Sequence, residues 1–248
     1  MTAIRVTFLG SGDAFSAGGR HQAGYVVQSA DDTLLLDCGA STLAAMKQRD
    51  ILPGDVDHIF ISHLHGDHFA GIPFLLLAYT YEQPRERPLR IAGPPGIEAR
   101  VRGLFATVYK EIAARPLPFA LQFTELAPGV PVALDSIHVV PFQVPHQETE
   151  LSLGFRLDIG TRRIVYSGDT GWTEDLIVQS HQADLFICEC CYFETRQPFH
   201  LDYPRIAEHR RRFTAKRIIL SHLGGEVLAR RNEIDMDLAC DGLVVEID

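Results

Sequence analysis

No apolar run in this chain approaches the ~20 residues that a membrane-crossing helix needs. The densest, residues 72–79, has eight. The start of the chain also lacks a basic segment leading into a long apolar core, as an export signal has. Ile4, Val6 and Phe8 alternate there with polar residues, which is a strand pattern. Cysteine is scarce and odd in number: Cys38, Cys188, Cys190, Cys191 and Cys240. Without an export signal, that pattern fits reduced thiols, so a cytoplasmic protein with no membrane partner is expected. Positive charge is the minority sign, with 23 Lys and Arg against 32 Asp and Glu and a formal net charge of −9. Coating nucleic acid requires a basic surface, so no stable DNA binding is expected. A small phosphorylated substrate held by a few local charges is compatible with that balance.

What is present is an ordinary globular composition. Of the 248 residues 46% are apolar and 22% charged, with 20 Gly and 14 Pro. Disorder, a collagen-like chain and a coiled coil are thereby excluded, and a single domain over residues 1–248 is expected. Strand patterns fall at residues 4–9, 24–28, 33–37, 58–62, 89–92, 137–142, 153–158, 163–167, 185–188, 217–221 and 243–247. Helical patterns fall at 42–48, 69–81, 96–109, 173–179, 204–213 and 226–231. The early strands follow one another like hairpins, and the later ones are separated by helices. That mixture predicts sheets covered by helices, in an α/β or α+β layered fold. One segment is echoed: Ile59-Phe60-Ile61-Ser62-His63-Leu64 and Ile218-Ile219-Leu220-Ser221-His222-Leu223. Each is an apolar strand delivering a histidine at its C-terminal exit, and the two exits are expected to be equivalent.

The strongest chemical signal is Ser62-His63-Leu64-His65-Gly66-Asp67-His68-Phe69. His63 and His65 are two apart, so extended backbone projects both to one side, where they can share a cation. Gly66 permits a sharp turn, after which Asp67 and His68 enter a helix from a new direction and suit a second cation. Imidazole with carboxylate favours zinc, with manganese or iron as substitutes. Further donor-type residues follow strands elsewhere: His146 after residues 137–142, Asp169 after 163–167 and His222 after 217–221. Cys188-Glu189-Cys190-Cys191 lacks the C-x2-C spacing of zinc ribbons and reads as small buried hydrophobes.

Taken together, His63-x-His65-x-Asp67-His68, His146, Asp169 and His222 resemble the dinuclear metal set of the metallo-β-lactamase superfamily. The likeness runs over nearly the whole chain. It implies a four-layer αβ/βα sandwich with His63, His65 and His146 on one ion, Asp67, His68 and His222 on the other, and Asp169 bridging. Two divalent ions, zinc foremost, would supply a bridging hydroxide that attacks the substrate, and Asp67 would orient it or take its proton.

Finer features resemble the ribonuclease Z-like branch. They are Phe8-Leu9-Gly10-Ser11-Gly12-Asp13-Ala14-Phe15, Gly66-Asp67-His68-Phe69-Ala70-Gly71-Ile72-Pro73 and the strand ending at Glu189. Glu189 matches the acidic position of that branch's His-Glu-Ala-Thr motif, while Cys188 stands where the motif has histidine. His200 precedes His222 by 22 residues, the separation that branch shows between its proton-donating histidine and last ligand. The resemblance thus implies that Glu189 orients His200 and that His200 protonates the leaving oxygen. It also implies a homodimer. Bacterial members that process transfer RNA carry a basic, glycine-rich arm between the positions of His146 and Asp169. Here those residues are only 23 apart and enclose a hairpin. The expected substrate is therefore a small phosphodiester, such as a cyclic nucleotide or cyclic phosphate, or an RNA 3′ end. The alternative is an acyl substrate, as in a lactonase, thioesterase or β-lactamase-like enzyme. Of the remaining residues, Arg210-Arg211-Arg212 reads as a solvated helix face. Arg205, His209 and His21 are candidates to approach the site. His58, His138 and His181 read as strand edges or solvated positions, which is also the plainer reading of His209.

Overall fold

The computed structural model describes residues 3–248. Its strands in chain order are β1 (Ile4–Gly10), β2 (Gly24–Gln28), β3 (Thr33–Leu36), β4 (His58–Phe60), β5 (Leu89–Gly93), β6 (Leu121–Glu125) and β7 (Val132–Leu134). They continue with β8 (Ile137–Gln143), β9 (Leu153–Ile159), β10 (Arg162–Tyr166), β11 (Leu185–Glu189), β12 (Ile218–Ser221), β13 (Asp237–Leu238) and β14 (Val244–Ile247). The helices are α1 (Thr42–Lys47), α2 (Gly66–Phe69), α3 (Ile72–Tyr81), α4 (Ile97–Val108), α5 (Lys110–Ala113), α6 (Asp175–Gln179), α7 (Tyr203–His209) and α8 (Gly225–Ala229).

Period-two alternation builds the layers. Phe8, Leu34, Leu36 and Phe60 point inward and meet Phe155, Leu157, Ile164 and Ile187 of the facing sheet. Phe60 and Phe155 touch edge to face with centroids 5.8 Å apart. The intervening Leu9, Leu35 and Ile59 point outward onto Leu75, Leu76, Tyr79 and Val101 of α3 and α4. In the second half Val165, Phe186 and Leu220 cover Leu176, Ile206 and Val227 of α6, α7 and α8. The result is the expected αβ/βα sandwich.

The two sheets are ordered β14-β1-β2-β3-β4-β5-β6 and β7-β8-β9-β10-β11-β12-β13. Each begins with three antiparallel pairings and ends with three parallel ones. By that rank β4 corresponds to β11 and β5 to β12. The sequence echo therefore pairs strands of different rank. His63 and His222 both leave C-terminal exits, but those exits are not equivalent positions.

Three strands have no counterpart in the sequence pattern: β6, β7 and β13. All lie at sheet edges and are short or half-exposed, so their apolar alternation is weak. The helix expected over 69–81 is instead broken before Ile72. Gly71 donates to the carbonyl of Cys38 at 2.8 Å, and a Cβ at Gly71 would lie 2.1 Å from the carbonyl oxygen of Gly39. The helix expected over 204–213 ends at His209 and continues as a 3₁₀ turn over Arg210–Arg212.

Candidate metal centre

The residues that follow β4, β8, β10 and β12 converge at one end of the sandwich. His63 Nε2 and His146 Nε2 lie 3.1 and 3.0 Å from His65 Nδ1, so three imidazoles face one point. Beside them, Asp67 Oδ2 lies 3.1 Å from His68 Nε2 and 3.5 Å from His222 Nε2. Asp169 Oδ2 stands between the groups, 3.2 Å from His68 Nε2 and His222 Nε2, 3.8 Å from His146 Nε2 and 3.9 Å from His63 Nε2. All seven donors named from the sequence are thus brought together, in two clusters that share Asp169.

The donor set fits divalent cations. One proton shared by two of three mutually close ring nitrogens satisfies a single contact, whereas a cation satisfies all three. In the second cluster His68 Nε2, Asp169 Oδ1 and His222 Nε2 are buried without hydrogen-bond partners. Such atoms are costly unless something fills the space between them. Burial pushes the His63 imidazole well below its ordinary range and His146 to about 4, which keeps both rings in the neutral, ligating form. Burial alone would raise the Asp67 carboxyl, but the nearby His68 and His222 rings, 3.1 and 3.5 Å away, hold it well below the usual carboxylate range.

Asp37 holds this arrangement in place, and sequence reading does not single it out. Its carboxylate is fully buried and accepts from Ser62 N at 2.7 Å, Ser62 Oγ at 2.8 Å and Tyr166 Oη at 2.6 Å. It also bonds His68 Nδ1 at 2.7 Å, which fixes the ring with Nε2 toward the cluster. Its only signal is its place after Leu34-Leu35-Leu36, at a strand exit. Asp37 and His222 both take left-handed backbone, with φ of 58° and 55°, a strain that the surrounding bonds sustain. Gly168, with φ of 61°, turns the chain after β10 and aims Asp169 inward. His146 donates from Nδ1 to the carbonyl of Phe199 at 3.0 Å.

Glu189, at the end of β11, is buried and hydrogen-bonds His200 Nδ1 through Oε1. Its other oxygen accepts from Thr170 N at 2.7 Å and Leu201 N at 3.3 Å. The His200 ring lies 4.8 Å from that of His146 and 5.9 Å from that of His222, centroid to centroid. Burial alone would lower the His200 imidazole; the Glu189 charge and hydrogen bond overcome that and raise it to about 9. A cleft beside His200 is lined by Trp172, Arg196, Gln197 and Arg205. Trp172 carries no signal in the sequence reading, and His209 stacks on it rather than standing solvated. His21 sits in the adjoining loop with Nδ1 held 2.9 Å from Asp241 Oδ2. His58 is not solvated either: it is 1% exposed, at the opposite end of β4.

Known proteins share this frame. The Ribonuclease Z of Methanothermobacter thermautotrophicus is 26% identical over 287 residues, covering 95% of this chain and 91% of that one. The Ribonuclease Z of Halorubrum lacusprofundi is 37% identical over 145 residues, which are 58% of this chain and 44% of that relative. That match therefore spans less than half of the relative's length. The crystal structure of human tRNase Z, short form, superimposes with a TM-score of 0.80 at 26% identity, covering 98% of this chain and 99% of that one. Fold and donor set define a metallo-β-lactamase-fold, ribonuclease Z-like hydrolase that depends on divalent metal. The family profile described as Anti-Pycsar protein Apyc1 matches residues 4–241, and the chain belongs to that family. Among the described residues no helix is long and apolar enough to cross a membrane.

Proposed function

We propose that this chain hydrolyses a small phosphodiester, a cyclic nucleotide or cyclic phosphate, at two divalent ions, zinc foremost. The observation that carries the reading is the connection between His146 and Asp169. β9 and β10 fill it as a hairpin paired from Arg162↔Ile159 to Tyr166↔Phe155, and no residues remain for an RNA-clamping arm. The alignment with the Ribonuclease Z of Methanothermobacter thermautotrophicus runs over 287 positions against the 248 residues here, so part of that relative has no counterpart in this chain. The net charge of −9 also disfavours a long polyanion. The relatives' names support the other reading, cleavage at an RNA 3′ end.

In this proposal His63, His65 and His146 would hold one ion, Asp67, His68 and His222 the other, and Asp169 would contribute to both. When bound, two divalent ions would acidify water and neutralise charge on the phosphoryl oxygens. Asp67, kept ionised by its neighbours, orients the attacking water and takes its proton. His200 is protonated and has Nδ1 committed to Glu189, so Nε2 carries the proton that passes to the leaving oxygen. Glu189 positions that ring and sustains its charge. The homodimer that the resemblance implies is tested by light scattering. The deciding experiment is metal analysis of the purified protein followed by parallel assays. They would compare cyclic nucleotides, bis(p-nitrophenyl) phosphate, a precursor tRNA, a lactone and a β-lactam. Turnover of the cyclic nucleotides without tRNA cleavage is the expected result; tRNA cleavage, or turnover of only the acyl compounds, overturns it.

A further inference from the structure

The run Cys188-Glu189-Cys190-Cys191 divides in the structure. Cys188 and Cys190 pack into the outer core with Phe186, Leu201 and Leu220, as small hydrophobes do. Cys191 does not join that core. Its Sγ belongs to a group with a Glu189 carboxylate oxygen and ring nitrogens of His200 and His222, all within 4.8 Å of one another. The fourth member, His222, belongs to the metal centre. Its Nε2 faces Asp67 and Asp169, while Nδ1 points the other way, 3.9 Å from Glu189 Oε1. The residue is 4% exposed, and that nitrogen has no hydrogen-bond partner.

Carboxylate, thiolate and imidazole form a donor set suited to zinc and to softer divalent ions. A tetrahedral ion with bonds of about 2.0–2.3 Å holds its donors about 3.3–3.7 Å apart. The donors of this group, within 4.8 Å of one another, have only to draw together to reach that spacing. We propose that Glu189, Cys191 and His200 form an inhibitory site for one further divalent cation, zinc or cadmium, beside the metal centre. The cation exchanges for the Cys191 thiol proton and the His200 Nδ1 proton, both of which go to solvent. His200 is left as a neutral ring, and the leaving oxygen loses its acid. The inhibition rests on the proposed role of His200; the site itself does not.

The test starts from the two-metal holoprotein carrying Cys240→Ser, which removes the exposed thiol. Cadmium is titrated while metal per chain, thiolate-to-cadmium charge-transfer absorption and cyclic-nucleotide hydrolysis are followed. A third equivalent is expected, with the absorption band and a fall in activity of about 100-fold, the low end of what a general acid contributes. Adding Cys191→Ser is expected to leave basal activity unchanged and to abolish the band, the third equivalent and the inhibition together. Absence of a third equivalent, or its persistence with the band in the Cys191→Ser protein, overturns the site. A band lost with Cys191→Ser in a protein that hydrolyses no phosphodiester upholds the site and overturns the function proposed above.

Discussion

The two ends of β4 carry histidines with opposite fates. His63 leaves the C-terminal end among ring nitrogens and carboxylates that have few other partners. His58 opens the strand at the far end, also between two carboxylates, with Nε2 at 3.5 Å from Asp32 and 3.2 Å from Asp135. There the surroundings already supply compensation. Arg90 pairs with Asp135 at 2.8 Å, and Ser136 bonds Asp32. Asp32 lies between β2 and β3, Asp135 between β7 and β8, so this group ties one sheet to the other. Both clusters mix imidazole with carboxylate. What separates them is whether the charge of the carboxylates is already balanced by neighbouring protein groups. At the His63 end Asp67 and Asp169 meet imidazoles and, among the described residues, no arginine or lysine, while Asp37, Ser62 and Tyr166 spend their hydrogen bonds on aiming donors.

Substitutions can break that contrast in a definite order. Replacing His63 and His65 together by Ala should abolish both metal content and turnover, a loss beyond the about 10²–10⁴-fold that acid–base catalysis contributes. Metal analysis beside the assay checks it, and full activity without metal would remove the centre from the mechanism. His200→Ala should cost about 10²–10⁴-fold on a phosphodiester with a poor leaving group and much less on a p-nitrophenyl ester. Equal losses on the two substrates would argue that His200 only supports the fold. Asp37→Asn, which keeps a side chain tolerant of left-handed backbone, should weaken metal affinity about 10–100-fold through misdirected His68. Competition with a chelator measures that.

Glu189→Gln tests the same coupling through pH. The Glu189 carboxylate raises the His200 imidazole, and the protonated acid persists below its pKa. Removing that charge lowers the pKa, so the alkaline limb of kcat/KM should move to lower pH. A limb that stays in place assigns it to another group. The smallest effect on activity belongs to the other end of β4. His58→Ala should leave kcat within about twofold, since it touches nothing in the centre, yet lower stability by about 2 kcal/mol, the low end for emptying a buried side-chain site. Thermal melts and an assay on one preparation separate the two. A large loss of activity at full stability would mean that the two ends communicate.

Local spacing alone determined much of this protein. Period-two patterns located the central strands, because buried strands must alternate or run apolar whatever they pair with. His63, His65, Asp67 and His68 fall within six residues, so their convergence needs only a strand exit and a turn. Edge strands β6, β7 and β13 escaped because half-exposed backbone imposes little on its side chains. Only the tertiary structure decided the rest, since it depends on contacts between residues far apart in the chain. It made Asp37 the anchor of His68 and gave β4 and β12 different ranks despite their echoed sequence. It also buried His58 as a tie between sheets and turned Cys191 toward Glu189 and His200 while its neighbours sank into the core.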